Sequence, residues 1–225
     1  MQQQLVVNVE SYDAANLDRA MVGECQRVLQ LSFHKDPNRL GFYTPLPPHL
    51  LLAGAAREAK IDQLLATASE RGERWHIVRA DDGRVASLAT TFSHVATMPD
   101  GSERTILALG EVATDPSYRG CGFASAAVRR AFAELGRWPP DVDVMLWQTG
   151  EAQGFYERLG ARVVPTESIV NGAGPLSVAD AQATDGPSSI SVKKPRAFWD
   201  LVAMIYPSDA AWPEEGEVDL MAEGW

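Results

Sequence analysis

Val112-Ala113-Thr114-Asp115-Pro116-Ser117-Tyr118-Arg119-Gly120-Cys121-Gly122-Phe123-Ala124-Ser125 is the stretch whose meaning decides the fold. A β-rich run closes at Asp115-Pro116, small residues follow, and a helical pattern begins at Phe123. Gly120 and Gly122 leave the backbone without a Cβ, so a ligand can approach the chain closely. The first N–H groups of the following helix have no intrahelical partner, and the aligned peptide dipoles add partial positive charge there. Such a helix start suits an anion, and a diphosphate fits it well. Arg119 adds a guanidinium whose fork matches phosphate oxygens. The stretch is not a P-loop, because no Gly-Lys-Ser/Thr follows. It is not the dinucleotide fingerprint either, since Ser125 stands where the third glycine belongs and no opening βαβ unit precedes it. An ordinary tight turn into a helix is the alternative left open.

Upstream, three β-rich runs cover 75–80, 85–96 and 104–114, separated by Asp81-Asp82-Gly83 and Pro99-Asp100-Gly101. Asp-Gly between such runs signals hairpins, which predicts an antiparallel meander. Before the meander, 5–10 reads as an opening strand and 13–31 as a helix. A proline-rich stretch at 36–48 reads as irregular, and a second helix over 49–71 ends at Gly72. Downstream, a helix over 123–135, a strand over 142–147, a helix over 152–159 and a strand over 161–164 imply a crossover with parallel pairing. A long loop over 165–190 and a last strand over 197–206 follow. The segment 208–225 carries six acidic residues and no Lys or Arg. The predicted class is α+β: one domain over 1–225, with a mixed, mostly antiparallel central sheet flanked by helices.

The 225 residues are 45% hydrophobic and 22% charged, enough to bury a core, with a net charge of −10. A phosphate-backbone binder presents a basic surface, so nucleic acid is not an expected partner. The acidity suits a cationic ligand, and it equally suits plain solubility. No apolar run approaches the ~18 residues of a membrane span. The N-terminus lacks a secretory layout, so the expected location is cytoplasmic, with no membrane partner. Cys25 and Cys121 lack CxxC partners, and the four histidines lack metal-ligand spacing, so no metal is expected.

Arg119-Gly120-Cys121-Gly122-Phe123-Ala124 resembles the Arg/Gln-x-x-Gly-x-Gly/Ala signature of the GNAT acyltransferase superfamily. A second stretch, Gly154-Phe155-Tyr156-Glu157-Arg158-Leu159-Gly160-Ala161, resembles that family's later helix end. The resemblance implies an acetyl-CoA-dependent N-acetyltransferase. By position, Val112 and Thr114 would meet the pantetheine arm. Arg119, Gly120, Gly122 and Ala124 would hold the diphosphate, with Cys121, Phe123 and Ser125 beside them. A backbone N–H from the strand over 112–114 would stabilise the oxyanion, a donor worth ~3 kcal/mol.

Tyr156 matches the family tyrosine that protonates the departing thiolate; a phenol of pKa ~10 suits a thiol of ~8.5. Its alternative is a core tyrosine on an apolar helix face. The base is Glu111, a water or the chain-end carboxylate. Many relatives carry the acid where this chain has Gly110, and a one-residue slip in a strand turns a side chain to the other face unless a bulge intervenes. The tail ending Glu223-Gly224-Trp225 resembles that of aminoglycoside 2'-N-acetyltransferase-like members. That likeness implies acceptor binding by Asp219, Glu223 and Trp225 beside Glu111, a catalytic role for the Trp225 carboxylate, and a segment over 208–225 folded toward the acceptor site. The alternative is a solvated acidic tail, against which the interleaved Trp212, Val218 and Leu220 speak. The expected acceptor is the primary amine of a small cationic molecule, antibiotics included, attacked in a ternary complex. A protein or amino-acid amine, or a silent acyl-CoA-binding module, are the other readings, and a homodimer is the oligomer to test.

Overall fold

A computed structural model describes residues 7–35, 43–44, 46–173, 177–178, 192–198 and 202–222. In chain order the elements are β1 (Val9–Asp13), α1 (Arg19–Ser32), β2 (His34–Lys35), β3 (Tyr43–Thr44), α2 (Gly54–Arg71), β4 (Arg74–Arg79), β5 (Val85–Thr97) and β6 (Glu103–Thr114). They continue with α3 (Phe123–Phe132), β7 (Met145–Thr149), α4 (Gln153–Glu157), β8 (Arg162–Val164), β9 (Ile169–Val170), β10 (Ser177–Val178), β11 (Val192–Lys193), β12 (Val202–Tyr206) and β13 (Val218–Asp219). The class is α+β with mostly antiparallel pairing, as expected. The chain divides into two compact units, Met1–Ser93 with Leu107–Met145, and His94–Ile106 with Leu146–Trp225.

In the first unit β1 pairs antiparallel with β4, Val9 opposite Val78 and Asp13 opposite Arg74. β4 pairs antiparallel with β5, with a register shift between Val78 and Arg79. The hairpin between them closes on Gly83 at φ 81, where a left-handed backbone is needed, and the Arg84 N–H donates to Asp82 Oδ1 at 3.0 Å. α1 buries Val22, Cys25 and Val28 against Ile61 of α2, Trp75 of β4 and Leu88 of β5. Burial of apolar area on this scale is the main favourable term in folding. Gly23 faces α2, where a Cβ would meet the end of the Arg57 side chain at 2.5 Å and Ile61 Cδ1 at 3.3 Å.

Several boundaries differ from expectation. Of the described residues in the expected strand 5–10, only Val9 and Glu10 lie in β1, which runs on to Asp13. The first helix starts at Arg19, not 13, because Asp18 accepts the Met21 N–H at 2.8 Å and fixes the cap there. α2 starts at Gly54, since Pro48–Leu50 forms a separate 3₁₀ turn. It stops at Gly72, φ 59, as expected. The strand expected from 142 starts instead at Met145, because the Val142 carbonyl is held by the Gly136 N–H.

In the second unit the hairpin tip follows the same Asp-Gly device: Gly101 has φ 82, and the Ser102 N–H donates to Asp100 Oδ1 at 2.9 Å. β8 runs antiparallel to β12, Val164 opposite Ala203. β13 lies parallel to β9 and meets the end of β5 at Thr97. The expected last strand over 197–206 is therefore confined to β12 among the described residues, while Ala197 donates its N–H to Ile169. No helix among the described residues is long and apolar enough to cross a membrane.

Candidate functional site

The turn after β6 is built from the backbone outward. Asp115 begins a 3₁₀ turn over Pro116–Tyr118, and its Oδ1 accepts the Ser117 N–H at 2.8 Å. Gly120 and Gly122 both stand in the left-handed region, φ 81 and φ 83, and a Cβ built on either meets no atom within 4 Å. Gly122 is the N-cap of α3 and contributes no side chain to it, so the amides of Phe123, Ala124 and Ser125 are uncapped from within. Open space, glycine backbone and uncapped amides make a cradle for an anion the size of a diphosphate. Arg119 and Cys121 are exposed at its rim. The Phe123 side chain is buried and lies edge-on to Tyr118 at 6.0 Å, so what this residue offers a ligand is its N–H.

Val112 and Thr114 are half-buried. The Thr114 carbonyl accepts from Ser32 Oγ at 3.1 Å, its hydroxyl meets Ser87 Oγ at 2.8 Å, and the Ala113 carbonyl accepts from the same Ser87 hydroxyl. Thr114 is thus tied through both its carbonyl and its hydroxyl.

Glu111 has φ 46, a conformation uncommon outside glycine. Residues 106–110 are all buried, and Glu111 is exposed. Extended backbone is thus broken at Glu111, directly after a buried Gly110. Its carboxyl is raised above the usual glutamate range, chiefly by desolvation and then by the Glu73 carboxylate, against Lys60 and Arg71. Glu73 is buried; its own carboxyl is pushed up by burial, against a bond from Trp75 Nε1 at 2.9 Å and the Arg71 guanidinium at 3.6 Å.

Tyr156, in the second unit, is buried on α4 with its ring 5.0 Å from Trp147 and 4.9 Å from Phe155. Burial pushes its phenol above the usual range. The phenol is thus held protonated, further from the thiol range than an ordinary tyrosine.

Asp219, expected among the acceptor-binding residues, is engaged by protein groups. It is buried, and its Oδ1 accepts the N–H groups of Gly172 at 2.7 Å and Met221 at 2.8 Å, while Oδ2 accepts from Lys194 Nζ at 2.7 Å. Burial alone would raise this carboxyl, but Lys194 and the two amides hold it below the usual aspartate range. With three donors in place it ties chain to chain. His94 Nε2 meets the Leu220 carbonyl at 2.6 Å, so the segment before Met221 is docked rather than solvated. Glu223 and Trp225 lie outside the described residues, as does most of 165–190 after 173. Among the described residues no group of three or more His, Cys, Asp or Glu is placed to hold a metal ion.

Sequence reasoning missed Arg27, Ser32, Ser87 and Asp82, which fix the turn from other elements. Tyr118 donates its hydroxyl to Asp82 Oδ2 at 2.8 Å, and Arg27 Nη1 donates to Asp115 Oδ2 at 2.5 Å. Only Asp115-Pro116 gave a local signal, as an Asx-type turn start.

The acetyltransferase (GNAT) family model matches residues 42–161. Among solved structures, a GCN5-related N-acetyltransferase from Kribbella flavida aligns at 18% identity over 71% of this chain and 34% of its own, TM-score 0.49. A conserved protein from Enterococcus faecalis V583 aligns at 17% over 69% and 32%, TM-score 0.47. The chain therefore spans about a third of the length of these two structures. A GNAT-family acetyltransferase from Staphylococcus aureus aligns at 11% over 89% and 98%, TM-score 0.47. No curated protein matches the chain.

Proposed function

The chain belongs to the GNAT acetyltransferase family, and on that premise we propose that it transfers the acetyl group of acetyl-CoA to a primary amine by direct attack in a ternary complex. The observation that carries this reading is the open cradle at Gly120 and Gly122 leading into the uncapped start of α3. Acetyl-CoA supplies the activated thioester. The amides of residues 120 and 122–125 hold its diphosphate, with Arg119 at the rim, and the backbone near Val112 is assigned to the pantetheine arm and the oxyanion.

We assign Glu111 as the base, directly or through water. Its raised carboxyl keeps it closer to neutrality as a proton acceptor than an ordinary glutamate, which is what general base catalysis favours. Tyr156 is assigned to protonate the leaving thiolate. A small cationic amine is the acceptor class we favour, supported by the net charge of −10 and by the acidic residues over 208–225. Asp219 is excluded from that role in our reading, because its carboxylate is already used. The aminoglycoside branch rests on the Glu223-Gly224-Trp225 ending alone.

The test is thiol release from acetyl-CoA against a panel of aminoglycosides, polyamines and amino acids. Release with no member, together with no coenzyme A binding by calorimetry, would sink the reading. Tyr156→Phe should lower turnover by about 100-fold while coenzyme A affinity stays within about twofold. The burial of Tyr156 favours one second reading, a module that binds acyl-CoA without turnover. Unchanged coenzyme A binding with no thiol release from the unsubstituted protein would select it.

A further inference from the structure

We infer that Arg27, on α1, is a positioning residue for the diphosphate cradle, acting through Asp115; the inference rests on the reading that the cradle binds coenzyme A.

Asp115 is the joint between β6 and the turn. Its N–H donates to the Ala86 carbonyl at 2.9 Å, its carbonyl accepts the Tyr118 N–H at 2.9 Å, and its side chain accepts the Ser117 N–H. The carboxylate is thereby fixed in direction, five residues before Gly120. It is buried, 3% exposed at the side chain. A buried carboxylate so close along the chain to an anion site has two faults: it needs a partner, and its field opposes a diphosphate.

Arg27 corrects both. Its Nη1 donates to Asp115 Oδ2, and its Nη2 donates to the Val85 carbonyl on β5 at 3.2 Å. The guanidinium therefore bridges α1, β5 and the turn with two planar bonds, a geometry an ammonium cannot reproduce in full. Burial alone would raise the Asp115 carboxyl, yet the Arg27 and Ser117 bonds hold it below the usual aspartate range. The pair is neutral as a unit, so the positive end of α3 faces a ligand without a competing negative charge behind it. Ser32 Oγ, on the same helix as Arg27, accepts the parallel task of bonding the Thr114 carbonyl. α1 thus fixes the last residue of β6 and the first residue of the turn from one rigid element.

The experiment measures coenzyme A binding by calorimetry, with pantetheine, which lacks the diphosphate, measured as a competitor. Arg27→Gln should weaken coenzyme A by about tenfold and leave pantetheine within about twofold. Arg27→Lys should recover part of the loss. The double variant Arg27→Gln with Asp115→Asn removes the unpaired charge and should return to within about threefold of the unsubstituted protein. If Arg27→Gln does not fold, Asp115→Asn carries the test. Its single amide oxygen keeps the Ser117 N–H bond but sets an NH2 donor against Arg27 Nη1 where Oδ2 accepted, so coenzyme A should weaken by about tenfold with pantetheine within about twofold, and unchanged coenzyme A binding overturns the inference. Parallel weakening of coenzyme A and pantetheine, or a double variant as weak as Arg27→Gln alone, reduces Arg27 to a structural role and overturns it. Absence of coenzyme A binding in the unsubstituted protein removes the parent reading, and this one with it.

Discussion

The turn at 115–125 and the docked segment at 218–221 set backbone N–H groups to opposite uses. At Asp219 the protein supplies its own anion: the amides of Gly172 and Met221 and the Lys194 ammonium all converge on one carboxylate. At the start of α3 no side chain serves as a cap, and the glycines keep the space in front of the amides clear. One cluster closes on itself and yields stability. On the proposed reading the other is completed by a ligand, whose binding would recover the stability cost of an uncapped helix start. An acidic residue is therefore a weak guide to a cationic substrate, whereas glycine in front of a helix is a stronger guide to an anion.

The contrast can be broken by emptying the filled cluster. Asp219→Ala should cost about 2 kcal/mol of unfolding free energy, measured by denaturant titration, with coenzyme A affinity unchanged. A loss of affinity without a loss of stability would return Asp219 to the binding site. The converse change crowds the open cluster. Gly122→Ala forces a Cβ into φ 83, a strain of about 1–2 kcal/mol, and should weaken coenzyme A binding by about tenfold. Equal affinity in calorimetry would mean that the cradle is not used.

A milder probe is acid. The folded-state carboxyls of Asp115 and Asp219 both lie below the reference value of 3.8. Their stabilisation is complete above that value and disappears as the pH falls through the lower folded values. Unfolding free energy should thus decline below about pH 4, and Asp115→Asn should shrink that decline. Glu73 and Glu111, both raised, act with the opposite sign: their contribution is present at low pH and is lost as the pH rises through their folded values.

Local chemistry made much of this legible from residues alone. Asp82-Gly83 and Asp100-Gly101 fixed both hairpins, Gly72 fixed the end of α2, and Gly120 with Gly122 marked the cradle, because each needs only its neighbours in sequence. What stayed hidden depends on distant partners. Arg27 lies 88 residues from Asp115, and nothing near either residue announces the pair. Asp219 was placed at the acceptor site by the likeness of the tail, which says nothing of its partners Gly172 and Lys194, 47 and 25 residues away. Gly110-Glu111 was readable as an irregularity but not as a resolved one, since a strand's facing depends on the dihedrals at a single residue.

Glu111 also sets a limit on how far this protein can be hardened. Holding a non-glycine residue at φ 46 costs about 1–2 kcal/mol, and glycine there would remove that strain while adding about 0.5–1 kcal/mol of chain entropy loss. Glu111→Gly should therefore raise unfolding free energy by roughly 0.5 kcal/mol and abolish the proposed proton acceptor, a gain and a loss that thermal melts and thiol release would register together. Any selection for robustness alone would drift toward glycine at this site, and the strained acid is what selection for turnover would have to defend.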